Sequence, residues 1–188
     1  MTAELRTSIS HPLRIHAFSV GQAGGAVGLS QAPGKKQVAG RWARDLDIDL
    51  QAIVQWGATH LVSLLEPAEF LALRIEALPE RARAAGLQWH GLPISNGAAP
   101  DARLLSAWAT LGPRLVDDLQ AGQRVLVHCR GGNGRTGTVA AMLLLQAGVC
   151  SSGQDAIACL RRVRPEAIET RAQAAFVESW AALHGRRD

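Results

Sequence analysis

The sequence predicts an α/β fold, a single domain with a central, mostly parallel sheet flanked by helices. Two observations carry this. Short apolar runs of strand length alternate along the chain with segments of helical periodicity, and a glycine or proline punctuates most of the joins. One such join, from residue 128 to residue 136, is a glycine-rich loop between a strand and a helix. With 188 residues, 47% of them hydrophobic, the chain is long enough for one substantial core and too short for two independent domains.

Residues 13–20 alternate partly between apolar and polar side chains and lead through the glycine-rich turn at 21–25 into a second short strand at 26–30, an N-terminal hairpin. From Asp45, the residues Leu46, Ile48, Leu50, Ile53, Val54 and Trp56 recur at helical spacing until Gly57 can stop the helix. A buried strand follows at 60–65. A helical stretch from about 69 to 85, interrupted at Pro79, ends at Gly86 and gives way to a strand at 87–92. Residues 93–100 have loop chemistry, and Asp101 can cap a helix running to about Ala121, with Gly122 as its stop. The strand 124–128, the apolar helix 135–147 closed by Gly148, and helices at 152–163 and 170–184 separated by Pro165 complete the chain. There is no internal repeat.

The formal charge of +4 suits anionic substrates, but the basic residues form no long run, so a solvated surface is expected and a nucleic-acid partner is not. Residues 1–10 lack the continuous apolar stretch of a signal peptide, and the longest strongly apolar stretch, 138–149, is about half of the ~20 residues that span a bilayer. No membrane partner is expected, and nothing in the sequence specifies an oligomeric state. Cys129, Cys150 and Cys159 cannot all pair within one chain and lack zinc-site spacing, which implies a reduced, cytoplasmic protein with no metal and no cofactor. Cys150 and Cys159 read as small core residues, and Trp42, Trp56, Trp89, Trp108 and Trp180 as core. His11, His16, His60, His90 and His184 show no metal spacing.

The chemistry concentrates at His128-Cys129-Arg130-Gly131-Gly132-Asn133-Gly134-Arg135-Thr136. Glycines at 131, 132 and 134 remove the Cβ penalty for positive φ, so successive amides of residues 130–134 can turn inwards around phosphate oxygens. The helix that starts near Arg135 adds the positive end of its dipole, and the guanidinium offers a planar fork to two oxygens. The same surroundings favour a thiolate at Cys129, which can attack phosphorus in line and form a phosphocysteine that water hydrolyses. His128 can orient the cysteine, and the Thr136 hydroxyl can donate to the departing sulfur. Residues 132–137 also satisfy Gly-x-Gly-x-x-Gly, but a dinucleotide site would want an acidic residue about 20 positions on at a strand end, where this chain reads as helix.

These residues resemble the signature His-Cys-x5-Arg-Ser/Thr of the protein tyrosine phosphatase superfamily, and the run through Thr138 looks like its dual-specificity branch, in particular proteins similar to kinase-associated phosphatase. Pro33-Gly34-Lys35-Lys36, Leu64-Leu65-Glu66, Leu92-Pro93-Ile94 and Arg164-Pro165 with Ala167-Ile168-Glu169-Thr170 extend the resemblance over roughly residues 26–182. It implies hydrolysis of phosphate monoesters, with phosphotyrosine or a dual-specificity phosphoprotein as substrate. A phosphate-binding regulatory module and a phosphatase of a soluble inositol phosphate or nucleotide are the alternatives. The family places a general acid, usually Asp, in the loop 93–101, and there this chain carries Asn96. Asp101 is the nearest carboxyl, while its position also suits a helix N-cap. Gln173 resembles a glutamine that positions the hydrolytic water in some phosphatases, or it is an exposed helix residue. Arg164 and Arg171 read as surface charges.

Overall fold

The computed structural model describes residues 5–37 and 41–184. The predicted hairpin is present: β1 (His16–Val20) pairs antiparallel with β2 (Gly25–Ser30). The two-residue strands β3 (Lys36–Gln37) and β4 (Trp42–Ala43), too short for a periodic signal, form a separate small ribbon. Then come α1 (Leu46–Gln55), β5 (Ala58–Ser63), α2 (Pro67–Ala72), α3 (Leu78–Ala84) and β6 (Gln88–Gly91). The second half holds α4 (Ala102–Gln120), β7 (Arg124–His128), α5 (Gly134–Gln146), α6 (Gly153–Val163) and α7 (Arg171–His184). In the main sheet the order is β1-β2-β7-β5-β6, and every neighbouring pair except β1–β2 is parallel. This is the predicted architecture.

Alternation along the strands divides the core in two. Val125 and Val127 of β7 and Val62 of β5 face α4, α5, α6 and α7, whereas Leu126 and Leu61 face α1 and α3. The helix α5 is buried along its whole length from Gly134 to Leu145, which explains its nearly unbroken apolar sequence. Asp45 caps α1 by accepting the Asp47 and Ile48 amides, and Asp101 caps α4 in the same way from Arg103 and Leu104.

The helix expected over 69–85 is two helices, and the break is not at Pro79. Proline is tolerated in a first helical turn, where its missing N–H would be unpaired in any case, and Pro79 begins α3. The chain turns before that, where Arg74 takes a φ of 55°. Of the five tryptophans, Trp108 and Trp180 are buried, while Trp42, Trp56 and Trp89 are half-buried with cations over their rings: Lys35 lies 4.7 Å from the Trp42 ring centre and Arg83 4.9 Å from that of Trp89.

The sheet also buries imidazoles. Burial pushes His128 down to about 4, and burial together with neighbouring His60 does the same to His90. Below its ordinary value of about 6.5 an unfolded histidine takes up a proton that the folded chain refuses until about pH 4, so stability falls as pH drops through that window. For fully buried His128 the limit is on the order of 3 kcal/mol. Urea unfolding at about pH 7, 6 and 5 is expected to show a steadily falling midpoint, and an unchanged midpoint would contradict the burial of neutral imidazoles.

Candidate active site

Parallel strands deliver their C-terminal ends to one edge of the sheet, and β7 ends there at His128 with Cys129 immediately beyond it. The loop then closes tightly. Gly132 has φ 79°, and a Cβ on it would lie 2.5 Å from the backbone of Ser30, so only glycine fits. Its N–H turns inwards and donates to Cys129 Sγ at 3.3 Å. Cys129 is buried yet lines a pocket of about 260 Å³ together with Lys35, Gln37, Asn96, Arg130, Gly131, Asn133, Arg135 and Glu169.

Arg135 enters from the first turn of α5 and is only 2% exposed. Its Nη1 donates to Glu69 Oε2 at 2.6 Å and to the Ile94 carbonyl at 2.9 Å, and its Nη2 donates to Glu69 Oε1 at 2.8 Å. Burial opposes the charge, but the Glu69 bond and the Cys129 sulfur outweigh it and hold Arg135 above its ordinary value. Glu69 belongs to α2, whose N-terminus is a capping box in which the Glu66 amide donates to Glu69 Oε2. Burial works against the Glu69 carboxylate, and the Arg135 and Glu66 bonds offset that and hold it below the usual range. The guanidinium is therefore fixed on one side, while its Nε meets no oxygen among the described residues.

Other predicted residues fall on both sides of expectation. His128 is fully buried, with Nε2 2.6 Å from the Ser63 hydroxyl and Nδ1 3.4 Å from the Cys129 carbonyl, so it braces the strand end. Thr136 Oγ1 is buried and has no hydrogen-bond partner among the described residues. Arg130 is exposed at the rim. Asn133 fixes the outer side of the loop: its Oδ1 accepts from Arg164 Nε at 2.7 Å and its Nδ2 donates to Glu166 at 3.1 Å. Arg164, expected as a surface charge, also donates to the Gly131 carbonyl at 3.1 Å and so clamps the loop.

Asn96 lines the pocket but Asp101 does not. Asp101 caps α4 and its outer oxygen is held by Arg103 Nε at 2.9 Å. The alternative of an exposed Gln173 is corrected: the side chain is buried, its Oε1 accepts the Glu169 and Thr170 amides, and its Nε2 donates to the Ala98 carbonyl at 3.2 Å. Thr170 Oγ1 adds a bond to the Gly97 carbonyl, so α7 anchors the Asn96 loop.

The loop contacts of Lys35 and Glu69 were not legible in the sequence because these residues lie 95 and 66 residues from the atoms they touch. The Asp49 carboxylate, itself gripped by Arg44, accepts the Gly34 amide at 2.8 Å and thereby sets the Lys35 backbone. Lys35 Nζ reaches the Arg130 carbonyl at 3.2 Å. Burial and the nearby Arg44 push the ammonium down to about 8. The metal-like grouping Cys150, Asp155 and Cys159 sits at the junction of α5 and α6, where Arg162 donates to the Cys159 sulfur and opposes a cation. Among the described residues no helix is long and apolar enough to cross a membrane.

Comparisons with known proteins establish the family. The family described as "PTP-SAK: Swiss Army Knife protein, DSP-PTPase phosphatase domain" matches residues 37–177. Cyclin-dependent kinase inhibitor 3 of Rattus norvegicus is 31% identical over 163 residues, which cover 86% of this chain and 72% of that protein. A putative tyrosine phosphatase of Invertebrate iridescent virus 3 is 40% identical over 57 residues, 30% of this chain and 24% of its own. The crystal structure of kinase associated phosphatase, with its catalytic-site cysteine replaced by serine, superposes with a TM-score of 0.80 at 26% identity over 92% of this chain and 96% of that one. A cysteine in a glycine-rich cradle, an arginine locked beside it and a family match over most of the chain lead to one conclusion: this protein belongs to the dual-specificity branch of the cysteine-dependent protein tyrosine phosphatases.

Proposed function

We propose that Cys129 is the nucleophile of a two-step hydrolysis in which Arg135 and the amides of residues 130–134 hold the equatorial phosphate oxygens. The observation that carries this reading is the buried Arg135 fork, fixed by Glu69 on one side and open towards Cys129 on the other. The Cys129 sulfur attacks phosphorus, the ester P–O bond breaks, and the phosphocysteine forms. Water then attacks phosphorus, the S–P bond breaks, and the sulfur leaves as thiolate. The unpartnered Thr136 hydroxyl supports its role as donor to that sulfur. His128, neutral and bonded to Ser63, positions the nucleophile without taking up a second proton.

Leaving-group protonation is the weak step. Asn96 stands at the acid position and cannot give up a proton, and Asp101 is engaged as a helix cap. A phenolate departs without help far better than an alkoxide, so the reading favours aryl phosphates, with protein phosphotyrosine as the substrate class. Three free cysteines support a reducing, cytoplasmic setting. Lys35 favours a second reading, a soluble phosphate ester with additional negative charge, because it adds a buried cation to the pocket.

Phosphate release from an aryl phosphate is expected to vanish in Cys129→Ser, and equal rates would overturn the assignment. Asn96→Asp is expected to raise the rate on alkyl phosphates by up to roughly 100-fold and to change aryl substrates much less. Asp101→Ala is expected to lower thermal stability and leave the rate unchanged; a rate loss would restore Asp101 as the acid. Because Lys35 loses its charge above about pH 8, inhibition by inorganic phosphate is expected to weaken as pH rises through that value, and Lys35→Gln is expected to remove this step.

A further inference from the structure

Gly134 is the fifth residue after Cys129, and its N–H is among those the cradle would turn towards phosphate. In this structure the N–H is already in use. It donates to Oε2 of Glu169 at 2.9 Å, and Glu169 lines the same pocket as Cys129, Lys35, Arg130 and Arg135. The contact depends on glycine, since a Cβ at position 134 would lie 2.4 Å from that carboxylate oxygen. Buried Gln173 holds the Glu169 main chain by accepting its amide at 3.0 Å. The carboxylate is thus an internal anion seated on a donor that the substrate needs.

We propose that Glu169 couples anion binding to proton uptake, so that the site accepts a doubly charged oxyanion together with a proton on this carboxyl. Two anions that share one cradle cannot both keep full charge at contact distance, and the carboxyl is the group free to neutralise. Once protonated, Glu169 changes from a competitor for the Gly134 amide into an O–H donor to the bound oxyanion. The charged and titratable groups facing it are Cys129, Arg130 and Arg135 of the loop, with Glu69 of α2 behind Arg135, and Lys35 from the segment after β2. Arg161 of α6, Arg164 at its C-terminal cap and Glu166 of its own segment complete the set, with exposed Arg171 two residues along the chain. Most of these are cations that stay charged over most of the range below about pH 7, and replacing Glu169 separates its proton uptake from that of Glu69, Glu166 and Lys35.

The inference rests on the cradle being the phosphate site, and the test separates the two. Sulfate is the probe, because it remains a dianion throughout the range and contributes no proton of its own. Calorimetric titration of sulfate into Cys129→Ser, which removes the thiol as a titrating group, is run between about pH 5 and 7 in two buffers of different ionisation enthalpy. The expected result is uptake of up to roughly one proton per sulfate, with affinity rising up to about tenfold for each unit of falling pH. Adding Glu169→Gln is expected to abolish proton uptake and to tighten sulfate binding at the upper end of the range, and Glu169→Ala to do the same. Equal proton uptake with and without Glu169 overturns the inference and leaves the phosphate site intact. Sulfate binding to none of the variants overturns the cradle reading and the inference together.

Discussion

The ion pair between Arg135 and Glu69 is the contact on which the rest of the site depends. A guanidinium buried to 2% exposure is costly unless its charge and hydrogens are met, and here Glu69 meets two corners while the Ile94 carbonyl takes another hydrogen. The pair does more than neutralise charge. It leaves one edge of the fork facing Cys129, so the position of the second anion-binding edge is settled before any substrate arrives. Removing Glu69 would strand a buried cation and release the fork at once, which ties stability and catalysis to one contact.

Everything around that pair converts fold into geometry. Parallel strands β2, β7 and β5 end at the same edge, which places Ser30, His128 and Ser63 side by side beneath the loop. Ser30 presses its backbone against Gly132, and Ser63 holds His128 from below. From outside, Arg164 binds both Asn133 and the Gly131 carbonyl, so the loop is clamped on its outer side while the Gly132 amide turns towards Cys129. The segment carrying Asn96 is tied by Thr170 and Gln173 to the start of α7, beside the residue that occupies the Gly134 amide. Pocket, acid-position loop and the Glu169 turn are therefore one mechanical unit.

What could be read from the chain alone was whatever depends on neighbours in sequence. The candidate nucleophile, the arginine and the turning glycines fit in seven consecutive residues, and the spacing of Cys129 and Arg135 announces the family. The strands and longer helices were legible for the same reason, since apolar periodicity is local. Long-range pairing was not: nothing near Glu69 marks it, and Lys35 and Glu169 stand in stretches that resemble the family without a role attached, because each meets the loop only after the sheet is assembled. Pro79 misled because proline stops a helix when approached from one side and starts one when approached from the other. The exposed reading of Gln173 failed because its amide satisfies buried backbone groups, a role that polarity on a helix does not reveal.

The central claim is that the cradle between Cys129 and Arg135 carries a phosphoryl group on sulfur. Rapid acid quenching during turnover of an aryl phosphate, followed by peptide mass spectrometry, tests it most directly. A phosphoryl adduct on Cys129 is expected during turnover, most abundant with the aryl phosphates whose phenolate leaves most readily without an acid. Turnover with no adduct on that residue, or with the phosphoryl group on another side chain, would contradict it.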